Sequence, residues 1–405
     1  MSCSTEERMK MLAGLGASAD ESAELLRYNA NHFSVPDPAT LRLPLDDEPF
    51  VEVWEFFAAE AERSGNITAI YPWVPQLQFP VRGGISAEPQ YMAAVKRGEF
   101  AFPDVLASGL ALERPEQCRL RIHRTAAGRI PVLSAATRAD FVSLVQAFAK
   151  KGEPEHIPDS MGAVIVGGYN NFHRIHRLRQ AFLQRDATGD WAAEFQRIKE
   201  QRELYQDRFI ILSPGPYSGV TAESLGLEEA AWLQLSLIIR LEHECTHYFT
   251  RRVFGSMRNN LLDELMADFC GIVAATGAYN VVWAMQFLGC QMDCSWRAGG
   301  RIENYRGNPP LSEGAFQLLV RLVLASSRQL AALSRETVAE RDDPAWKAAI
   351  LFSIASFQLD ELALQPVVEV LVGRYRQCLV SLHRAADRAG AGLGANFKKG
   401  RTADA

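Results

Sequence analysis

The stretch Leu237–Arg252, LIIRLEHECTHYFTRR, places two histidines and a glutamate within one apolar run of a chain that has only eight histidines. Two acidic residues precede the run, and Arg251 and Arg252 end it, which is the charge order that a helix dipole favours. Gly255 follows, and glycine commonly stops a helix. The pattern therefore predicts a single helix across this stretch.

The spacing of the two histidines predicts a metal site. On a helix, His243 and His247 project from one face one turn apart, close enough to share an ion. Cys245 points the opposite way, along a stripe of leucines, and is predicted to pack in the core. Glu244 stands beside the histidines without competing for the ion, where a base can take a proton from metal-bound water. His-Glu-x-x-His thus predicts two ligands and a base on one helix.

A second helix, predicted over residues 259–277 (NNLLDELMADFCGIVAATG), is expected to supply the third ligand. Glu264 and Asp268 lie four residues apart and share a face of this helix. We predict that Glu264 is the third ligand and that Asp268 accepts the other ring N–H of a ligating histidine. Asp263 competes for either role, but it lies about 100° away and is interpreted as supporting the helix N-terminus.

The two helices together resemble the zincin metallopeptidases of the gluzincin type. The resemblance rests on His-Glu-x-x-His followed by Glu-x-x-Ala-Asp at Glu264, Ala267 and Asp268, and it spans Leu237–Thr276, about one tenth of the chain. It implies a zinc ion, a glutamate ligand on the helix after the active-site helix, and peptide-bond hydrolysis. It also implies a strand before that helix that binds substrate by β-addition. Asp207–Gly215 (DRFIILSPG) is in the corresponding place and is interpreted as a substrate-side edge strand.

Hydrolysis also needs a donor for the developing oxyanion. Tyr217, Tyr305 and Arg301 are candidates for this donor, although each also has an ordinary structural interpretation. His173 is a further candidate for activity, in the stretch 166–177 (VGGYNNFHRIHR). This stretch suits either a binding loop or a turn that caps the helix carrying His173.

We therefore interpret the chain as a zinc-dependent hydrolase, a peptidase or amidase that uses metal-activated water with Glu244 as general base. A peptide or amide is the expected substrate. One alternative keeps the two-histidine, one-carboxylate set but fills it with iron, for redox modification of a peptide or small molecule. Another is a non-catalytic metal-binding scaffold whose N-terminal half binds a partner.

Composition narrows the expected partners and location. The 405 residues are 48% hydrophobic and carry a formal charge of −5 without long blocks of either sign. This pattern argues against nucleic acid and membrane partners. The N-terminus lacks a secretory pattern, and seven scattered cysteines fit reduced thiols, so we expect a cytoplasmic protein. The oligomeric state is not indicated.

The order of patterns predicts an α+β fold, with a small mixed β-sheet packed on a mainly helical, zincin-like section. The predicted regions are a mainly helical region at 1–117, a sheet region with the substrate-side edge strand at 118–215, a helical zinc-binding region at 216–388, and a flexible tail at 389–405.

Overall fold

The computed structural model describes residues 3–99, 109–364 and 367–399. It has an α+β fold with a small mixed sheet, which confirms the predicted fold class. The strands are β1 Arg119–Thr125, β2 Gly128–Ser134, β3 Ala163–Asn170 and β4 Gln206–Leu212. The helices are α1 Thr5–Gly14, α2 Ala19–Tyr28, α3 Val51–Ser64, α4 Pro89–Tyr91, α5 Arg138–Ala149, α6 Phe172–Arg185, α7 Trp191–Lys199, α8 Glu229–Val253, α9 Asn260–Thr276, α10 Val281–Leu288, α11 Glu313–Glu336, α12 Trp346–Ala355, α13 Leu359–Leu364 and α14 Val368–Lys399.

The chain forms two compact units, and one of them is discontinuous in sequence. Met1–Leu45 and Tyr217–Ala405 form the first unit, and Asp46–Pro216 form the second. One boundary between the units falls at residue 216, and residues 1–117 are divided between the two units. α14 continues to Lys399 through most of the predicted flexible tail, and residues 400–405 lie outside the described residues.

The second unit contains the sheet, whose strand order is β1-β2-β4-β3. β1 and β2 form an antiparallel hairpin, β2 pairs with β4 in parallel, and β4 pairs with β3 antiparallel. β4 is therefore an inner strand, and the prediction that Asp207–Gly215 forms an edge strand is wrong. β4 pairs with β3 over Gln206–Leu212 and with β2 over Ile210–Leu212, so it lies between two strands and not at the edge of the sheet.

The stretch around His173 forms a turn that caps the helix, which is the second of the two structures predicted for it. Asn171 caps α6, because its side chain accepts a hydrogen bond from the Arg174 amide at 3.3 Å. The His173 ring stacks on Phe56 and meets Trp73 edge to face, with centroid distances of 5.7 and 5.3 Å. Burial lowers the pKa of His173. These contacts place His173 in an aromatic cluster of the second unit.

In the first unit, α8 and α9 cross so closely at Gly271 that no side chain would fit there. A Cβ atom added at Gly271 of α9 would lie 2.8 Å from the Ile239 carbonyl oxygen of α8. Glycine is therefore required at this crossing by close backbone approach. The crossing lies two turns along α9 from Glu264 and one turn along α8 from His243, so it fixes the spacing of the helices that carry the predicted ligands.

The N-terminal segment joins this unit at the turn between α8 and α9. The Ser34 amide donates to the Phe254 carbonyl at 2.9 Å, and the His32 amide donates to the Asn259 side chain at 3.0 Å. The Asn260 side chain donates to the Tyr28 carbonyl at 2.6 Å. These bonds explain why residues 1–45 belong with the helical section.

A buried ion pair joins α1 to α13. The Arg8 guanidinium binds the Asp360 carboxylate through two hydrogen bonds of 2.6 Å. The side chains are 7% and 0% exposed, so neither charge has water to replace its partner. The pair is a charge-assisted, two-bond contact that helps to hold α1 against α13.

Among the described residues, α11 alone is long and apolar enough to meet a length-and-composition test for a membrane span. Two thirds of its most apolar window (67%) is buried inside the structure, as in the core helix of a soluble protein.

Candidate metal centre

α8 brings its two histidines to one point. His243 and His247 are both buried, and their Nε2 atoms lie 3.0 Å apart. The helix extends from Glu229 to Val253, as its charge order and glycine stop predict, so the two residues share a face one turn apart. Cys245 is buried in the core, as predicted.

α9 adds the carboxylate of Glu264. Its oxygens lie 3.6 Å from His243 Nε2 and 3.7 Å from His247 Nε2. Tetrahedral ligands about 2.0–2.1 Å from an ion lie about 3.3 Å from one another, so these separations fit one shared metal ion. Within the described ranges, His243, His247 and Glu264 are the group of histidine, cysteine and acidic side chains that can hold an ion.

Two aspartates of α9 hold the other nitrogens of the two rings. Asp268 lies 2.9 Å from His243 Nδ1, the role that the sequence predicts for it. Asp263 lies 2.9 Å from His247 Nδ1, so the interpretation that it only supports the helix N-terminus is wrong. With each Nδ1 atom beside an aspartate, both Nε2 atoms face Glu264, which is the side from which a metal ion would be bound. The donor set therefore fits a metal chemically as well as by distance.

Asp263 reaches His247 because two successive turns of α8 face two successive turns of α9. His243 and His247 lie one turn apart along α8, and Asp268 and Asp263 lie about one turn apart along α9. Each histidine therefore meets a different aspartate. Glu264 lies between the two aspartates in sequence and reaches both Nε2 atoms.

Arg301 and Tyr217 complete the surroundings of Asp268. Arg301 forms an ion pair with the Asp268 carboxylate, and its Nη1 donates to the Tyr217 hydroxyl at 3.0 Å. The Tyr217 hydroxyl in turn donates to Asp268 at 2.7 Å and lies 2.9 Å from His243 Nδ1. Tyr217 is thus on the Nδ1 side of the ring, opposite the Nε2 atom that faces Glu264. This position suits the orientation of His243 and does not suit a donor to a substrate oxyanion.

Tyr305 lies on the Glu264 side of the site. Burial raises the pKa of the Tyr305 phenol, and the neighbouring Glu264 carboxylate raises it further. Its hydroxyl therefore remains a protonated donor at neutral pH. Of the candidate donors Tyr217, Tyr305 and Arg301, Tyr217 and Arg301 bind Asp268, whereas Tyr305 lies beside the Glu264 carboxylate.

Glu244 is half-buried on α8 beside the two histidines. Burial raises its pKa, His243, His247 and Arg301 oppose this effect, and Glu264 adds to it, with a net rise. A carboxylate with a raised pKa is better matched to accepting and returning a proton near neutral pH.

The remaining charges favour binding of a cation. Burial alone would raise the pKa of Glu264 and Asp268, but the pKa of each is lowered by its neighbours, chiefly His247 for Glu264 and Arg301 for Asp268. Both carboxylates therefore stay ionised. Burial alone would lower the pKa of His247, but Asp263, Glu264 and Glu244 raise it to about 10. The carboxylates around His247 thus stabilise its positive charge, and they would stabilise a bound metal ion in the same way.

Replacing Asp263 with Asn is expected to weaken metal binding roughly 10–100-fold, because the charge that fixes the His247 ring is lost. The measurement is competition for the metal with a fluorescent chelator. Asp342→Asn, an exposed aspartate of the same unit, is the matched control and should bind like the wild type. An Asp263→Asn affinity equal to that of the control would show that Asp263 does not orient a ligand.

A known protein family matches most of the length of this chain. The profile of the DUF7005 family, described as a family of unknown function, matches residues 10–366, so the chain belongs to that family. No curated protein and no solved structure matches it.

Proposed function

We propose that the protein is a zinc-dependent hydrolase of amide bonds, a peptidase or amidase. The observation that carries the proposal is the convergence of His243 Nε2, His247 Nε2 and the Glu264 carboxylate, with each Nδ1 atom held by its own aspartate. Three protein ligands leave a fourth position for water, which is the arrangement of catalytic zinc sites. The resemblance of the two helices to gluzincins supports the same reaction class.

When bound, the ion supplies Lewis acidity, which lowers the pKa of water and polarises a substrate carbonyl. In the proposed reaction Glu244 takes a proton from the attacking water and passes it to the leaving amine. Tyr305 donates a hydrogen bond to the oxyanion that forms at the carbonyl oxygen. Asp263, Asp268 and Arg301 keep the two imidazoles in one tautomer and one orientation.

Elemental analysis of the native protein tests the proposal. We expect about one zinc per chain in the wild type and little or none in His243→Ala and Glu264→Ala, because two ligands hold a divalent ion far more weakly than three. His156→Ala, which removes an exposed histidine of the second unit, is the control and should keep its zinc. Wild-type protein without metal, or full zinc content in both ligand variants, would contradict the proposed site.

The same donor set also suits a non-haem iron enzyme, since two histidines and one carboxylate form the facial ligand set of Fe(II) oxygenases. Iron in native protein together with an oxygen-dependent reaction would favour this second candidate. Zinc in the wild type together with hydrolysis in the absence of oxygen would favour the first.

A further inference from the structure

A groove of about 610 Å³ runs between the edge strand β1 and the helix α3 of the second unit. This volume lies within the usual range for ligand sites. The strand side consists of five consecutive residues, Cys118–Ile122. The helix side consists of Ala58, Ala61, Glu62 and Gly65.

β1 offers a free edge in this groove. In the part of the chain that the structure describes, β1 pairs only with β2, and the strand order places it at the end of the sheet. Backbone N–H and C=O groups on the outer side of such a strand are available to a further strand. Recognition by strand addition uses these groups for affinity and the neighbouring side chains for specificity.

The side chains of β1 differ on its two faces. Leu120 and Ile122 are half-buried and pack against the core of the unit, whereas Arg119 and Arg121 are exposed on the opposite face. Arg119 Nη1 donates to the carbonyls of Glu116 and Cys118, and neither arginine has an ion pair among the described residues. The exposed face of the edge thus carries two positive charges without a carboxylate partner.

The helix side of the groove has room for small apolar side chains. Ala58, Ala61 and Gly65 extend no further than a methyl group, and Gly65 ends α3 with a positive φ of 68°. Glu62 is exposed at this side and would repel acidic residues that pointed towards α3. An added strand would therefore place acidic residues on the arginine face and apolar residues towards the helix, in alternation.

We propose that the groove between β1 and α3 binds an extended acidic peptide segment, with acidic and apolar residues alternating, as an added strand. This site is independent of the proposed hydrolase, because all of its residues belong to the second unit and the metal ligands belong to the first. The free backbone edge favours a peptide over a nucleic acid, because a nucleic acid has no peptide backbone to pair with the N–H and C=O groups of a strand.

The test is fluorescence anisotropy with labelled acetyl-Glu-Val-Glu-Val-Glu-amide and the full-length protein. We expect saturable binding that falls at least tenfold for acetyl-Lys-Val-Lys-Val-Lys-amide and for acetyl-Glu-Glu-Val-Val-Glu-amide, which keeps the charge but breaks the alternation. Methylating alternate backbone nitrogens of the probe should abolish binding, because it removes the donors that strand addition needs. In hydrogen exchange, amides of β1 should become slower to exchange when the probe is bound.

Variants of the protein locate the site. Arg121→Glu should weaken binding of the acidic probe at least tenfold and strengthen binding of the lysine probe. Arg179→Glu, an exposed arginine of the same unit, should bind like the wild type. A misfolded variant would bind both probes more weakly. A reversed preference of Arg121→Glu would therefore show that the variant is folded and that the changed charge altered its specificity.

Three results would overturn the proposal: no saturable binding of the acidic probe to the wild type, equal affinity for the methylated probe, or equal or tighter binding of a single-stranded oligonucleotide at the same site. Zinc content and hydrolysis are measured separately, so none of these results bears on the proposed function.

Discussion

Turnover of amide substrates is expected to fall at least about 10²–10⁴-fold when Glu244 is replaced by Gln. Gln keeps the shape of the side chain but cannot accept a proton from the attacking water. Glu244 is adjacent to His243 in sequence, but Glu264 is the carboxylate that lies within 3.6–3.7 Å of both histidine Nε2 atoms. The variant should therefore lose activity while it keeps its metal.

The paired measurements are initial rates of peptide hydrolysis and metal content of the same preparation. Glu228→Gln, at the exposed start of α8, is the matched control and should retain both. Full activity of Glu244→Gln would refute its role as the base, and loss of its metal would show that the carboxylate is needed for binding.

The second large effect is expected in stability, from Arg8→Ala. Removing the guanidinium leaves the fully buried Asp360 carboxylate without its partner, which costs about 3–5 kcal/mol when a buried pair is broken. The measurement is urea unfolding followed by a probe in the first unit, compared with the wild type.

Lys10→Ala is the control on the same helix, because Lys10 pairs with Glu6 where both side chains are largely exposed. It should change stability little. A double variant, Arg8→Met with Asp360→Leu, should recover much of the loss, since it leaves no buried charge behind. Unchanged unfolding of Arg8→Ala would show that the Arg8–Asp360 pair contributes little to the stability of the unit.

The parts of the site that could be predicted are those carried by local periodicity. His243, His247, Glu264 and Asp268 lie on two helices whose spacing and ends can be read directly from the sequence, and the structure brings them together. Arg301 was one of three candidate donors, and its ion pair with Asp268 depends on a loop whose path no local pattern gives.

The chemistry of the two histidines gives a reason for the position of Asp263. Two ligating histidines each have a second ring nitrogen that needs a partner, so a site of this kind calls for two acceptors. The sequence offers two aspartates flanking Glu264, and the structure assigns one to each histidine. The number of second ring nitrogens therefore predicts that Asp263 and Asp268 each bind one histidine.

The errors in the fold come from long-range pairing. A parallel β2–β4 pair places β4 inside the sheet, although β4 follows β3 in sequence, and the strand pattern of Gln206–Leu212 is the same for an inner or an edge position. In the same way, the return of residues 1–45 to the helical section depends on hydrogen bonds to residues more than 200 positions away. Neither feature leaves a mark within a short window of sequence.

The close crossing of α8 and α9 at Gly271 means that the distance between the two histidines and Glu264 is set by main chain against main chain. A cation entering the cluster would find its ligands already at coordinating distance and would not have to gather them. Stripping the ion with a chelator should therefore leave the far-ultraviolet circular dichroism of the chain unchanged, unlike a zinc finger, which unfolds when its zinc is removed. The ligand geometry would then belong to the metal-free fold itself.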